Sequence, residues 1–123
     1  MKKTTLVLTF MLVSNLAEAD TANCSPETAE KAWGKCAACH SLAEGNNSML
    51  GPNLHGVIGR KAGSLEGFIY SPAMKASDVV FTIEKLDAFL AAPQDVVPQT
   101  RMPFSGLKNP EDRAAVICKI KST

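Results

Sequence analysis

Residues 35–42 read KCAACHSL: Cys36 and Cys39 are separated by two alanines, and His40 follows the second cysteine directly. Cysteine and histidine side chains in this order can serve a zinc ion, a redox-active disulfide or a haem. Each of these uses needs further residues elsewhere in the chain, so the remainder of the sequence decides among them.

Two of the three uses are weakly supported. A structural zinc ion takes four protein ligands and a catalytic one takes three plus water, but the other histidine is His55, and Cys24 and Cys118 are solitary. A thioredoxin-like redox pair places its cysteines at a helix start that follows a strand. Here the cysteines come late in a predicted helix, with no strand before it.

Haem is the third use, because C-x-x-C-H is the signature of covalent c-type attachment. Cysteines three residues apart lie on one face of a helical turn, so both sulfurs can form thioethers with the vinyl groups of one porphyrin. The adjacent histidine then projects its imidazole to the iron from the same side. We therefore predict one haem c, attached through Cys36 and Cys39, with His40 as a ligand of its iron.

The N-terminal residues are typical of an export signal. Lys2 and Lys3 give a positive end, residues 6–13 (LVLTFMLV) are apolar, and residues 17–19 (AEA) fit a small-residue cleavage site. The alternative, a membrane anchor, is disfavoured because a bilayer-spanning helix needs about 20 apolar residues. We predict that residues 1–19 are removed before Asp20 and that residues 20–123 form one periplasmic domain, outside the cytoplasm, where haem c is attached.

Composition indicates a small domain that needs support beyond its own core. Loss of residues 1–19 leaves 104 of the 123 residues. It also removes Lys2, Lys3 and Glu18, so that the 13 basic and 12 acidic side chains of the full chain become eleven of each. This neutral balance gives no support for binding nucleic acid or an anionic membrane. The full chain has only one Trp, one Tyr and five Phe to build a core. Small domains often need a disulfide, a metal or a prosthetic group in addition to their core.

Helix start signals recur along the chain and predict an all-α fold of about four helices. Each signal is a capping side chain before a helical run, and the four capping residues are Ser25, Ser71, Thr82 and Asn109. Pro93 closes the third run. Residues 44–68 and 93–110 are rich in Gly, Pro and Asn and show no strand alternation. Loops of this length in a compact domain indicate that they wrap around something.

Further motifs follow CAACH in a fixed order. They are GPNLHGVIGRKAG (51–63), GFIYSPAMK (67–75), FTIEKLDAFLAAP (81–93) and VPQTRMPFSGLKNPEDRAAVICKI (97–120). With these motifs the chain resembles the class I cytochromes c, in the mitochondrial-type and cytochrome c2-like branch. The resemblance implies a cytochrome c fold, with about four helices and long loops wrapped around one covalently bound haem, and with the first and last helices crossing.

The same resemblance implies a function in electron transfer and not catalysis. It implies a soluble, monomeric one-electron carrier between respiratory or other periplasmic redox partners. The donor would be a dehydrogenase or cytochrome complex, and the acceptor an oxidase or reductase. Neither nucleic acid nor a membrane anchor is expected.

The family also binds its iron through a methionine on the side opposite the histidine. Met102, in QTRMPF, occupies that position, and the prolines around it stiffen the loop. Met49 and Met74 are expected to be packing residues. His55, in the NLHG turn, is expected to be a surface residue and not an iron ligand. The resemblance thus implies low-spin iron between His40 and Met102, with no position left for a substrate.

Four further residues take roles from the resemblance. The carbonyl of Pro52 would accept a hydrogen bond from Nδ1–H of His40, which fixes the tautomer of the ring. Arg60 and Tyr70 match positions that hydrogen-bond an inner haem propionate. Thr100 matches a position that contacts a propionate or the loop beside the methionine.

The chain departs from the family pattern at several positions. Phe81 stands where a tryptophan often donates to a propionate, and Phe89 replaces a tyrosine near the methionine sulfur. Gln99 replaces a glycine just before the ligand loop, so that a special backbone angle there is either relaxed or strained. Thr28 and Ala32 stand where the family packs a glycine and an aromatic residue. A haem enzyme or gas sensor with a labile methionine, the rival hypothesis, would rest on Phe89 and Gln99.

Cys24 and Cys118 lie outside the haem motif. The ends of the chain lie close together in the family fold, so the resemblance implies a disulfide between the start of the first helix and the last helix. Two free thiols are the alternative.

Three basic residues, Lys35, Arg101 and Lys108, would surround the haem edge in the family fold. Such charges can steer a carrier towards an acidic partner. Because the domain has equal numbers of acidic and basic side chains, we predict weak steering and only a modest dependence of partner binding on salt concentration. Ordinary solvated charges without a docking role are the alternative.

Overall fold

The computed structural model describes residues 24–47 and 49–123. The predicted export signal, residues 1–19, and its cleavage point before Asp20 lie outside the described residues. The elements below all belong to the predicted mature domain.

Five helices form in the described part of the chain: α1 (Pro26–Trp33), α2 (Pro72–Ala76), α3 (Ile83–Ala91), α4 (Pro93–Val96) and α5 (Pro110–Lys121). These residues contain no β-strand, and a single bridge pairs Lys61 with Val80. The predicted all-α class is confirmed. Within the same residues, no helix is long and apolar enough to cross a membrane.

Four helices begin at the capping residues expected from the sequence. In each case the side-chain oxygen accepts a backbone N–H of the first turn, and the caps are Ser25, Ser71, Thr82 and Asn109. A proline follows the cap in α1, α2 and α5. Proline suits this position because the first N–H groups of a helix have no partner inside the helix.

Two helix boundaries differ from those predicted. Helix α1 ends at Trp33 and does not continue through the cysteines. Residues 34–39 instead form successive turns. In these turns Cys36 N donates to Trp33 O at 2.7 Å, and Cys39 N donates to Cys36 O at 3.0 Å. The low helix propensity of Gly34 favours this change. Pro93 follows the end of α3, as expected, but it also opens the one-turn helix α4.

Helix α1 packs against α5, so the two ends of the described chain meet. Trp33 is buried on α1, and Val116 and Ile120 are buried on α5. Across the contact, Lys119 Nζ lies 2.6 Å from Glu30 Oε2. This is the crossing of first and last helices that the resemblance implies.

A disulfide joins the same two helices. Cys24, which lies two residues before α1, is bonded to Cys118 of α5, with 94 residues of sequence separation and 5.4 Å between the Cα atoms. Closing a loop of this length restricts the unfolded chain and stabilises the folded one. The bridge therefore reinforces the α1–α5 contact covalently.

Arg113 ties α5 to α3 and to the loop before α5. Its Nε donates to Asp87 Oδ1 at 2.8 Å, and its Nη1 donates to the carbonyls of Leu107 at 3.0 Å and Lys108 at 3.1 Å. Its side chain is only 14% exposed. Arg113 therefore fixes the end of the loop that carries Met102.

Phe81 and Phe89, two of the departures from the family pattern, pack against each other. Their ring centroids are 5.2 Å apart and their planes meet at 71°, an edge-to-face contact. Both rings are buried. One aromatic contact thus stands where the relatives' pattern would have two polar groups.

We predict that the double variant Cys24→Ser/Cys118→Ser has a free energy of unfolding about 2–4 kcal/mol below that of the wild type. The chain-entropy contribution of so long a loop is about 4–5 kcal/mol, and residual structure in the unfolded chain offsets part of it. Guanidinium unfolding followed by circular dichroism gives the comparison.

Lys119→Ala is the matched control for this experiment. It removes an ion pair between the same helices and should cost at most about 1 kcal/mol. Equal stabilities of the wild type and the double cysteine variant would show that the bridge does not stabilise the fold.

Candidate functional site

His40 is held by a second segment of the chain. Its Nδ1 donates to the carbonyl oxygen of Pro52 at 2.7 Å, since a carbonyl can only accept. The preceding residue, Gly51, donates its N–H to the carbonyl of Cys39 at 2.7 Å. Among the described residues, Nε2 of His40 makes no hydrogen bond. Nε2 is therefore the ring nitrogen that is available to bind a metal.

The protonation state of His40 suits this role. Burial lowers the pKa of the imidazole, and the hydrogen bond to the Pro52 carbonyl opposes that effect. A lowered pKa keeps the ring neutral at neutral pH. With the proton on Nδ1, the lone pair is on Nε2, and neutral imidazole is the form in which histidine binds metals.

The side chains of Cys36 and Cys39 are half-buried and take no part in the disulfide, which joins Cys24 to Cys118. Burial raises the pKa of the Cys36 thiol, the Lys35 ammonium lowers it, and Cys39 raises it further. No group of three or more His, Cys, Asp or Glu side chains is placed to hold a metal ion within the described residues. The two thiols are therefore available for covalent attachment.

The amide of Asn53 organises the loop that carries Gly51 and Pro52. Its Nδ2 donates to the carbonyls of Ala43 and Asn46, both at 2.7 Å, and its Oδ1 accepts from His55 N at 2.7 Å. Asn53 is 4% exposed. This central role of Asn53 was not identified from the sequence, where only the GPNLHG motif around it was apparent.

Arg60 reaches back to the same loop. Its Nη1 donates to Asn53 O at 2.9 Å, and its Nη2 donates to His55 O. The ring of Tyr70 packs edge-on against Phe68, at a centroid distance of 4.8 Å. The hydrogen bonds thus join Arg60, but not Tyr70, to the segment beside His40. Nδ1 of His55 faces the carbonyl of Leu42 at 3.3 Å.

Met102 lies in the loop between α4 and α5. Its side chain is half-buried and packs against the core, and its N–H points at Thr100 Oγ1 at 3.5 Å. Thr100 is buried. Of the other two methionines considered, Met74 is buried in the core and Met49 is half-buried.

Several apolar side chains pack on the core while keeping part of their surface uncovered. They include Leu42, Leu54, Tyr70, Met102 and Phe104. A flat apolar group would be buried by such side chains at a gain of about 25 cal/mol for each Å² removed from water. Together with two free thiols and an imidazole with Nε2 free, these side chains fit a covalently bound haem.

Comparison with known proteins agrees with this chemistry. The chain is 48% identical over 94 residues to cytochrome c2 iso-2 of Magnetospirillum fulvum, a match that covers 76% of this chain and 97% of the relative. It is 44% identical over 88 residues to cytochrome c2 of Rhodoblastus acidophilus, covering 72% and 82%. It is 45% identical over 83 residues to cytochrome c of Stellaria longipes, covering 68% and 77%.

A solved structure shows the same similarity in three dimensions. Cytochrome cH from Methylobacterium extorquens superposes with a TM-score of 0.73 at 34% identity, and the match covers 85% of this chain and 99% of that one. No protein-family model matches the sequence.

We predict that Gly51→Ala lowers the free energy of unfolding by about 1–3 kcal/mol, the usual cost of overpacking. A Cβ at this position would lie 2.5 Å from Cε1 and 2.7 Å from Nδ1 of His40, so that the ring or the loop must move. Chemical unfolding measures the effect. Gly34→Ala is the control, because its nearest contact is the carbonyl of Lys31 at 3.2 Å. A Gly51→Ala protein as stable as this control would contradict the packing described here.

Proposed function

The chain belongs to the class I cytochrome c family, and we propose that it is a periplasmic one-electron carrier. Its haem is proposed to be attached through Cys36 and Cys39, and the haem iron to be bound by His40 and Met102. Members of this family transfer electrons and are not enzymes, and their cofactor is one covalently bound haem c. The observation that carries the ligand proposal is the hydrogen bond from His40 Nδ1 to Pro52 O, which leaves Nε2 free.

The haem supplies a one-electron change between ferric and ferrous iron. A methionine ligand favours the ferrous state and raises the reduction potential. His40 and Met102 would both bind the iron, and no position would then remain for a substrate. The protein's contribution is then orientation, burial and electrostatic tuning of the iron.

His40 would contribute a ring of fixed tautomer and orientation. A hydrogen bond from the second ring nitrogen to a carbonyl raises the basicity of the ligating nitrogen and prevents rotation of the ring. The Pro52 carbonyl fills this role at 2.7 Å. Because Asn53 holds the surrounding loop through three hydrogen bonds, the position of the acceptor carbonyl is fixed.

Arg60, Tyr70 and Thr100 are proposed to face the haem propionates. Arg60 is half-buried, and two backbone carbonyls, those of Asn53 and His55, fix its guanidinium. A positioned guanidinium is a strong partner for a carboxylate. Tyr70 and Thr100 can each supply a hydroxyl to the same groups.

The partners are proposed to be periplasmic redox proteins, a donor dehydrogenase or cytochrome complex and an acceptor oxidase or reductase. Two of the three basic residues expected at the haem edge already have other contacts. Lys35 lies 3.7 Å from Asp112, and Lys108 donates to the carbonyls of Ala91 at 2.9 Å and Ser105 at 3.3 Å. Arg101 is exposed. This arrangement supports weak electrostatic steering and a modest salt dependence of partner binding, and the carrier is proposed to be a monomer.

The ligand proposal is tested by the optical spectrum of the ferric protein. We expect a c-type ferrous α-band and a weak far-red ferric band of sulfur–iron ligation in the wild type. Met102→Ala should lose the far-red band and become high-spin, because its axial position is open. The controls Met49→Leu and Met74→Leu should retain the band, since a Leu–Met exchange nearly conserves volume. A far-red band that persists in Met102→Ala would assign the sixth ligand to another residue.

The proposed location is tested by the mass of the protein recovered from a periplasmic fraction. Removal of residues 1–19 should give a chain that starts at Asp20 and carries the mass of one haem that denaturation does not release. A mass that retains residues 1–19, or a haem released by denaturation, would contradict export with cleavage or covalent attachment, respectively.

A further inference from the structure

Gln99 has a backbone conformation that non-glycine residues rarely adopt. Its φ is +67°, and no other non-glycine residue among those described has a positive φ. In this region the Cβ of an L-residue crowds a neighbouring carbonyl oxygen. Some interaction of the folded chain must therefore hold Gln99 there.

The local geometry is that of a tight turn over residues 97–100. Thr100 N donates to Val97 O at 3.1 Å, Pro98 occupies the second position and Gln99 the third. Proline at the second position and a positive φ at the third are the marks of a type II turn, which normally requires glycine or asparagine at the third. Glutamine at this position lacks the tolerance of a positive φ that glycine or asparagine would provide.

The side chain of Gln94 bonds to both sides of residue 99. Its Oε1 accepts from Gln99 N at 2.9 Å, and its Nε2 donates to Thr100 O at 2.8 Å. The side-chain amide of Gln94 thus pairs with a backbone N–H and a backbone carbonyl of the same turn. Helix α4 places Gln94 for this contact, because its single turn is closed by Val97 N donating to Pro93 O at 2.9 Å.

The turn that Gln94 holds leads directly to Met102. Val97, at its start, is 2% exposed and anchors the turn in the core. Thr100, at its end, is buried and turns its hydroxyl oxygen towards Met102 N at 3.5 Å. Beyond Met102 the next backbone anchor to α3 is Leu107 N, which donates to Leu90 O at 2.7 Å.

We propose that Gln94 is a positioning residue that holds the turn at Gln99 and Thr100 and thereby keeps Met102 on the haem iron. The proposal rests on the proposed function, in which Met102 is the axial ligand. Both atoms of the Gln94 amide are needed, one as acceptor and one as donor. A positive φ at a non-glycine residue costs free energy, so loss of the amide lets the turn relax and Met102 leave the iron more readily.

Imidazole binding to the ferric holoprotein measures how readily Met102 leaves, because imidazole must displace it. Gln94→Ala should bind imidazole about tenfold more tightly than the wild type, the factor expected from two lost hydrogen bonds of ordinary strength. Gln94→Glu keeps the acceptor but loses the donor, so its affinity should fall between the two. Asp95→Ala, an exposed neighbour on the same helix, is the control and should stay within about twofold of the wild type.

Hydrogen exchange of the Gln99 amide reports on the contact without reference to the iron. We expect the exchange to be about tenfold faster in Gln94→Ala and nearly unchanged in Gln94→Glu, whose carboxylate still accepts this N–H. A general loss of stability would instead accelerate exchange in the core of α3 and α5 as well. Imidazole affinities equal to that of the wild type in both Gln94 variants would overturn the proposal.

The Met102→Ala spectrum separates this result from a failure of the ligand assignment. If the far-red band is lost in Met102→Ala but neither Gln94 variant changes imidazole affinity, the ligand assignment stands and the positioning role of Gln94 falls. If the band survives in Met102→Ala, the ligand assignment itself is wrong, and the role of Gln94 towards Met102 falls with it.

Discussion

The hydrogen bond from His40 Nδ1 to the carbonyl of Pro52 is the constraint on which the rest of the site depends. It joins residues twelve positions apart at 2.7 Å, and the backbone bond between Gly51 and Cys39 lies directly beside it. The contact decides which ring nitrogen carries the proton and hence which one can bind a metal. It also explains the glycine, because the imidazole occupies the space that a side chain at position 51 would need. The three hydrogen bonds of Asn53 hold the loop so that this acceptor cannot turn away.

The helix scaffold positions the segments that carry His40 and Met102, the two proposed iron ligands, relative to each other. Helix α1 leads directly into the turns of the C-x-x-C-H motif, and the loop that carries Met102 leads directly into α5. Since α1 packs against α5 and a disulfide joins Cys24 to Cys118, the segments that follow one helix and precede the other are held at fixed places in the fold. Arg113 adds a second restraint, because it binds Asp87 on α3 and the backbone at the end of the Met102 loop. The stability of the helix crossing is thus coupled to the geometry of the site.

Features encoded by short stretches could be predicted from the sequence, whereas those that depend on distant side chains could not. The helix caps and the class of fold follow from neighbouring residues, and both agree with the structure. The end of α1 at Trp33 was missed because the helical pattern was extended through Gly34, a poor helix former after which the chain forms turns. The hydrogen bonds of Asn53 and Arg113 were missed because all their partners except the Asp87 carboxylate are backbone groups, which no side-chain pattern reveals. For Gln99 the sequence left a relaxed and a strained backbone open, and the structure has the strained one, with φ at +67°.

The most direct test of the central claim is the exchange rate of the proton on Nδ1 of His40, measured by ¹H–¹⁵N correlation in the ferrous protein with ¹⁵N-labelled histidine. A proton that stays on Nδ1 and exchanges slowly with solvent is expected, because the Pro52 carbonyl accepts it at 2.7 Å and the proposed iron ligation uses Nε2. His55 provides an internal comparison, because its Nδ1 lies 3.3 Å from the Leu42 carbonyl and so makes a weaker contact than His40 does. A His40 proton that exchanges as fast as that of His55, or a metal-shifted Nδ1 in place of Nε2, would contradict the role assigned to Pro52 and with it the account of the site.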